Sequence, residues 1–227
     1  MDDPLLDYAR RLEETDLALA RSTAHVDELR REVAALRGRA EEVDRLLTGL
    51  PAAREAAAQA VRAAEADLGR RMDAVEKAER ELAAAERRRD EERLAAARRA
   101  VVRTRDAAAT AEGRLDRARV ARDQLERDAE RAREDAPQLE RRAAELAARL
   151  GGAARVSAHA AAAPAPGLAG TLAWTARAEA ALFVARSGLE AERERVVREA
   201  NELGASALGE QLGATSVALV RERLERR

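Results

Sequence analysis

The stretch VDELRREVAALRGRAEEV, Val26 to Val43, sets aliphatic side chains at Val26, Leu29, Val33, Leu36, Ala40 and Val43, with charged residues through most of the gaps. Alternating steps of three and four put these side chains on one stripe of an α-helix, the a/d seam of a heptad repeat. The repeat extends both ways. Leu5, Leu12, Leu19, Val26, Val33, Ala40 and Leu47 recur every seven residues, with Tyr8, Thr15, Ser22, Leu29, Leu36, Val43 and Leu50 three positions further on. The spacing predicts a first helix over about 5–49, with Pro4 in its first turn. Gly49 and Pro51 are expected to end it in a turn over 49–52, glycine by tolerating a left-handed cap and proline by lacking the N–H that would continue the helix.

A second helix is expected from about residue 53. Val61, Leu68, Val75 and Leu82 keep one register, with Ala64, Ala78 and Ala85 as companions and Arg71 as the exception. Glu86 to Arg93 are charged without a break, and a new register then runs from Leu94 through Val101, Ala108 and Leu115 to Leu150. The step from Leu82 to Leu94 is not a multiple of seven, so the apolar stripe changes face there. No Gly or Pro lies in 86–93. The expectation is therefore one long central helix over about 53–150, its stripe shifted at 86–93 and the helix kinked at Pro137. Residues 151–170, with Gly151, Gly152, Pro164, Pro166, Gly167 and Gly170, read as a linker. Residues 171–227 read as a C-terminal helical module carrying Leu182, Leu189, Val196 and Leu203.

The fold class that follows is all-α. It is an elongated antiparallel coiled coil, with helix 1 on the first half of the central helix and the C-terminal helices on its second half. Charge supports the first pairing. Residues 1–50 hold 8 basic and 12 acidic groups, and residues 86–105 hold 8 arginines and 4 acidic groups.

Composition restricts the function classes. Of 227 residues only Tyr8, Trp174 and Phe183 are aromatic, 37% are charged, and the net charge is −1. Long helices fit that balance better than a rounded core does. With no cysteine, thiolate metal sites are excluded. His25 and His159 have no second ligand at metal-binding spacing. No phosphate-cradling glycine loop follows a strand, and no Ser/His/Asp set assembles. The chain is therefore read as non-enzymatic, without cofactor, metal or small-molecule substrate. The apolar window 168–189 contains Arg177, Glu179 and Arg186, so no membrane span is expected. The acidic start lacks a secretory apolar run, and a cytoplasmic location is expected.

The first 150 residues resemble the long helical hairpins of bacterial coiled-coil proteins, such as the arms of SMC-type ATPases and the coiled-coil zinc-ribbon proteins. The likeness is one of texture. The sequence holds neither an ATPase head nor zinc-ribbon cysteines, and the resemblance assigns no site residue.

The functional expectation is a structural or adaptor coiled coil for protein–protein interaction, scaffolding or self-assembly into an oligomer. Trp174 and Phe183 are its candidate docking anchors, and Gly209 and Gly213 a small-residue stripe for close helix approach. The alternative is a nucleic-acid- or chromosome-associated protein, with Arg87, Arg88, Arg89, Arg98 and Arg99 as candidate phosphate contacts. The interleaved Glu86, Asp90, Glu91 and Glu92, and the absence of aromatics for base stacking, count against it.

Overall fold

The computed structural model describes residues 4–88, 91–208, 222, 225 and 226. They form α1 (Pro4–Arg88), α2 (Glu91–Leu150), the single-turn α3 (Ala158–Ala161) and α4 (Leu168–Leu208), with no strand among the described residues. Among the described residues no helix is long and apolar enough to cross a membrane.

Three sequence expectations are corrected. First, residues 1–50 do not pair with 86–105: Glu32 meets Arg142 and Arg149 near the end of α2, and Asp16 and Asp27 meet Arg193 and Arg186 of α4. Second, α1 does not stop at Gly49; it passes through Pro51 to Arg88, so no turn exists at 49–52. The heptad count explains this. From Leu47, fourteen residues lead to Val61 and then seven each to Leu68, Val75 and Leu82, so the register is unbroken across Pro51. Val43, Leu50 and Val61 are buried on either side of the exposed proline. Their burial offsets the cost of one missing N–H and a ring clash, about 3 kcal/mol. Third, the helix expected to be continuous through 86–93 is two helices. α1 ends at Arg88, and α2 starts at Glu91 and runs antiparallel to it. A run of charged side chains offers no buried face, so nothing in the seam holds a helix straight there. Pro137 behaves as expected in one respect, lying inside α2 without ending it.

The chain forms two compact units, 1–44 with 135–227, and 45–134. In the second, α1 and α2 pair side by side. Arg54 meets Glu126 at 2.5 Å, Glu65 meets Arg119 at 3.1 Å, Asp67 meets Arg114 at 3.7 Å and Glu79 meets Arg105 at 2.6 Å. As one residue number climbs the other falls, which defines the antiparallel register. The buried seam is small: Leu50, Val61, Val75, Ala78 and Ala85 from α1, and Val101, Ala108, Ala111, Leu115, Ala129 and Ala132 from α2.

The first unit holds the main core, where three helices share one cluster. α1 supplies Ala9, Leu12, Leu19, Val26, Leu29, Val33 and Leu36; α2 supplies Ala143, Leu146, Ala147 and Leu150; α4 supplies Trp174, Ala178, Leu182, Leu189, Val196 and Ala200. These α1 residues are largely the predicted seam. Near the start of the helix, however, Ala9 is buried while Tyr8 stays exposed. α4 runs antiparallel to α1, held by Asp16–Arg193 and Asp27–Arg186 at 2.7 Å and Arg37–Glu179 at 2.6 Å. On the α2 side Glu32 bridges Arg142 at 2.5 Å and Arg149 at 2.7 Å, and Arg39 meets Asp135 at 2.5 Å.

The expected linker is folded onto this unit. Ser157 caps α3, and Arg155, in the left-handed region at φ 63°, pairs with Glu192 of α4. Gly167, at φ +88°, uses a conformation open mainly to glycine, and its N–H donates to Glu140 at 3.1 Å. Gly170 is packed so tightly that a Cβ would lie 2.1 Å from the Ala165 carbonyl oxygen. Only glycine lets the loop backbone sit this close to the first turn of α4.

Candidate interaction surface

α4 is built with two uncharged faces. One is the core face: Thr171, Trp174, Thr175, Ala178, Leu182, Ala185 and Leu189 are buried. At 3.6 residues per turn, Ala169, Ala173, Ala176, Ala180, Phe183, Val184, Ser187 and Ala191 fall on the opposite side of the helix, and all eight are exposed. Phe183 is 58% and Val184 67% accessible. No charged residue interrupts this stripe until Glu190 at its edge and Glu194. Between these two faces run charged flanks, so α4 carries two separate uncharged stripes over 169–189. Here one side is filled by α1 and α2, and no described residue covers the other apart from Arg30, whose guanidinium stands 5.8 Å from the centre of the Phe183 ring, a cation–π contact.

Charges border the stripe on both flanks. Arg177 is exposed on one; Glu179 and Arg186 lie on the other, bound to Arg37 and Asp27 of α1. The Arg37 guanidinium is held above its ordinary pKa by hydrogen bonds to Glu41 and then Glu179. On the far flank of α1, Glu32 sits below the ordinary carboxylate range. The hydrogen bond from Arg149 is the main cause; desolvation opposes it, and the positive charges of Arg149 and Arg142 add to it.

The structure separates the two anchors that the sequence joined. Trp174 is fully buried and its indole N–H donates to the Ala160 carbonyl at 3.1 Å, so it pins the 151–167 segment to the core and presents nothing to a partner. Nine residues on, Phe183 faces the other way. Gly209 and Gly213 lie outside the described residues. The alanines flanking Phe183 were not singled out from the sequence. The signal was a second three/four repeat through 169–187, half a helix turn out of phase with the core repeat Leu182–Leu189–Val196, inside the most apolar window of the chain.

The arginine set falls near the α1–α2 junction. Arg87 donates to the Ala83 carbonyl at 3.2 Å. Arg88, Arg98, Arg99 and Arg103 are exposed, and none has a carboxylate partner among the described residues. Arg89 lies outside the described residues. An open groove of about 470 Å³ runs between the helices there, floored by Ala84, Ala85, Ala96, Ala97 and Ala100 and edged by Glu81, Arg88, Arg93 and Arg103. Its alanine floor has no group to titrate or to act as a nucleophile. Among the described residues no set of three or more His, Cys, Asp or Glu could hold a metal ion.

No family model matches the chain, and neither the curated proteins nor the solved structures give a match.

Proposed function

We propose that this chain is a non-catalytic structural or adaptor coiled coil that acts through protein–protein contact or assembly. The observation that carries the reading is the outward stripe of α4, eight exposed uncharged positions centred on Phe183. Apolar area of this kind gains about 25 cal/mol per Å² when a partner covers it, and a contiguous exposed apolar patch usually marks an interaction site. A photo-reactive amino acid at Ala180 tests the reading in cells, with the same probe at Arg195, on the charged end of α4, as control. A cross-linked product at Ala180 and none at Arg195 is expected. Equal labelling at both, or none at Ala180, refutes it.

One observation favours the second reading, association with nucleic acid: Arg88, Arg98, Arg99 and Arg103 are exposed and have no carboxylate partner among the described residues. A mobility shift with duplex DNA that weakens steeply with salt, and is lost when Arg87–Arg89 are replaced, supports that reading. Absence of a shift at low salt removes it.

A further inference from the structure

We infer that the open groove between α1 and α2 beside their junction is a docking site for an acidic amphipathic helix of another protein. This deepens the reading of the chain as a protein–protein contact module and rests on it. It does not rest on α4, which gives no residue to the groove. The two flanks of the α1–α2 pair are unlike. Arg105, Arg119 and Glu126 lie at multiples of seven residues and so share one flank of α2. Each crosses to α1, meeting Glu79 at 2.6 Å, Glu65 at 3.1 Å and Arg54 at 2.5 Å. Arg93, Ala100, Ala107 and Arg114 form the same kind of series on the other flank. There Arg114 meets Asp67 at 3.7 Å. Ala100 and Ala107 have no charge to offer, and toward the junction this flank opens into the groove of about 470 Å³.

Shape and charge name the occupant. An alanine floor lets a helix settle between α1 and α2 with its axis about 8–10 Å from each, and the stretch from Arg93 to Arg103 matches about three helical turns. In the first unit α1 and α2 are covered in this way. There α4 packs on both, and its Arg186 and Arg193 meet Asp27 and Asp16 of α1. Among the described residues nothing takes that place in the groove. Its rim residues Arg88 and Arg103 are exposed and have no carboxylate partner among the described residues, and Glu81 is the one acidic residue lining it. An occupant that lays small or aliphatic side chains on the alanine floor and brings carboxylates to Arg88 and Arg103 completes both sets of contacts. Duplex DNA fits less well: its phosphates would meet Glu81, and a phosphate backbone has nothing to lay on alanine. The chain's own residues 209–227 carry 4 arginines against 3 acidic groups, the wrong sign for this site.

The test uses the full chain and a labelled peptide of about three heptads, with Leu and Ala along one stripe and Glu on both borders, against its Lys-bordered counterpart. Fluorescence anisotropy is expected to show saturable binding of the Glu peptide that weakens as salt rises, and no binding of the Lys peptide. Arg103→Glu is expected to weaken binding by about tenfold or more. Arg98→Glu makes the same charge change on the side of α2 turned away from the groove, and at physiological salt it is expected to cost about twofold at most. Ala96 is exposed on the groove wall, so Ala96→Trp should keep its far-ultraviolet dichroism and abolish binding. A Glu peptide that does not bind overturns the inference. So does an equal loss from Arg98→Glu and Arg103→Glu, or binding that Ala96→Trp leaves intact. Duplex DNA that displaces the peptide, and is itself released by both arginine variants, overturns it in favour of nucleic acid. A dimeric chain that Ala96→Trp makes monomeric overturns it in favour of a second copy. If the peptide fails while the Ala180 probe still captures a partner in cells, this site falls and the broader reading survives.

Discussion

Replacing Pro51 by alanine is expected to stabilise the protein, although proline is commonly introduced to do the same. Pro51 is exposed and lies in the interior of α1, so its removal forfeits no packing. Alanine supplies an N–H for the Leu47 carbonyl one turn earlier and removes the ring clash, together worth about 3 kcal/mol in a helix interior. Against this stands the greater freedom of the unfolded chain once proline is gone, about 0.4–1 kcal/mol. The net expectation is a gain of about 2 kcal/mol, or a rise of about 4–8 °C in Tm for a chain of 227 residues. Gly49→Ala is a companion test. A Cβ there meets nothing within 4 Å, so the helix interior should gain about 1 kcal/mol. Urea unfolding followed by helical dichroism measures both. If α1 instead ended in a turn at 49–52, proline would rigidify that turn and glycine would serve as a left-handed cap, and both alanine variants would lose stability. A loss in either variant refutes the continuous helix and the register argument behind it.

Trp174→Ala should destabilise the first unit by about 3–5 kcal/mol through the cavity it leaves. Trp174→Phe should cost about 1–2 kcal/mol, because the Ala160 carbonyl loses its donor; denaturant titration separates the two. Gly170→Ala drives a methyl into the Ala165 backbone and should cost about 1–3 kcal/mol, whereas Gly69→Ala, in open space, should gain about 1 kcal/mol; paired thermal melts decide. Acid should weaken the fold partly through Glu32. Its folded pKa is depressed by Arg149, so its contribution is present above the unfolded value, about 4.3, and is lost as pH falls through the folded one. Glu32→Gln should therefore flatten the loss of stability below about pH 4, and a carboxyl NMR titration of Glu32 should give a value under that of an exposed glutamate.

The helical class and much of the buried stripe of α1 were legible because aliphatic spacing is a direct record of which side faces inward. Leu12, Leu19, Val26, Leu29, Val33 and Leu36 are predicted seam and observed core. Where the helices begin and end was harder. Gly49 and Pro51 carry strong local signals for a stop, yet a register maintained from Leu47 to Val61 outweighs them. The charged run at 86–93 carries no breaker, yet the register fails there and the chain turns back. In both places tertiary burial, which acts over many residues, overrode the propensity of one or two. The candidate surface was half legible. Aromatic identity marked Trp174 and Phe183 alike, but only the phase of each residue against the core repeat separates an inward indole from an outward phenyl ring.

The antiparallel register of α1 and α2 in the second unit also bears on how such a chain can change length over evolution. Glu65 answers Arg119 and Glu79 answers Arg105, so a heptad inserted into one helix alone would leave every partner beyond it mismatched. Length changes that keep the pairing must come as two matched insertions or deletions, one in each helix at the same distance from the reversal. Among relatives, gaps in 45–134 should therefore occur in mirrored pairs.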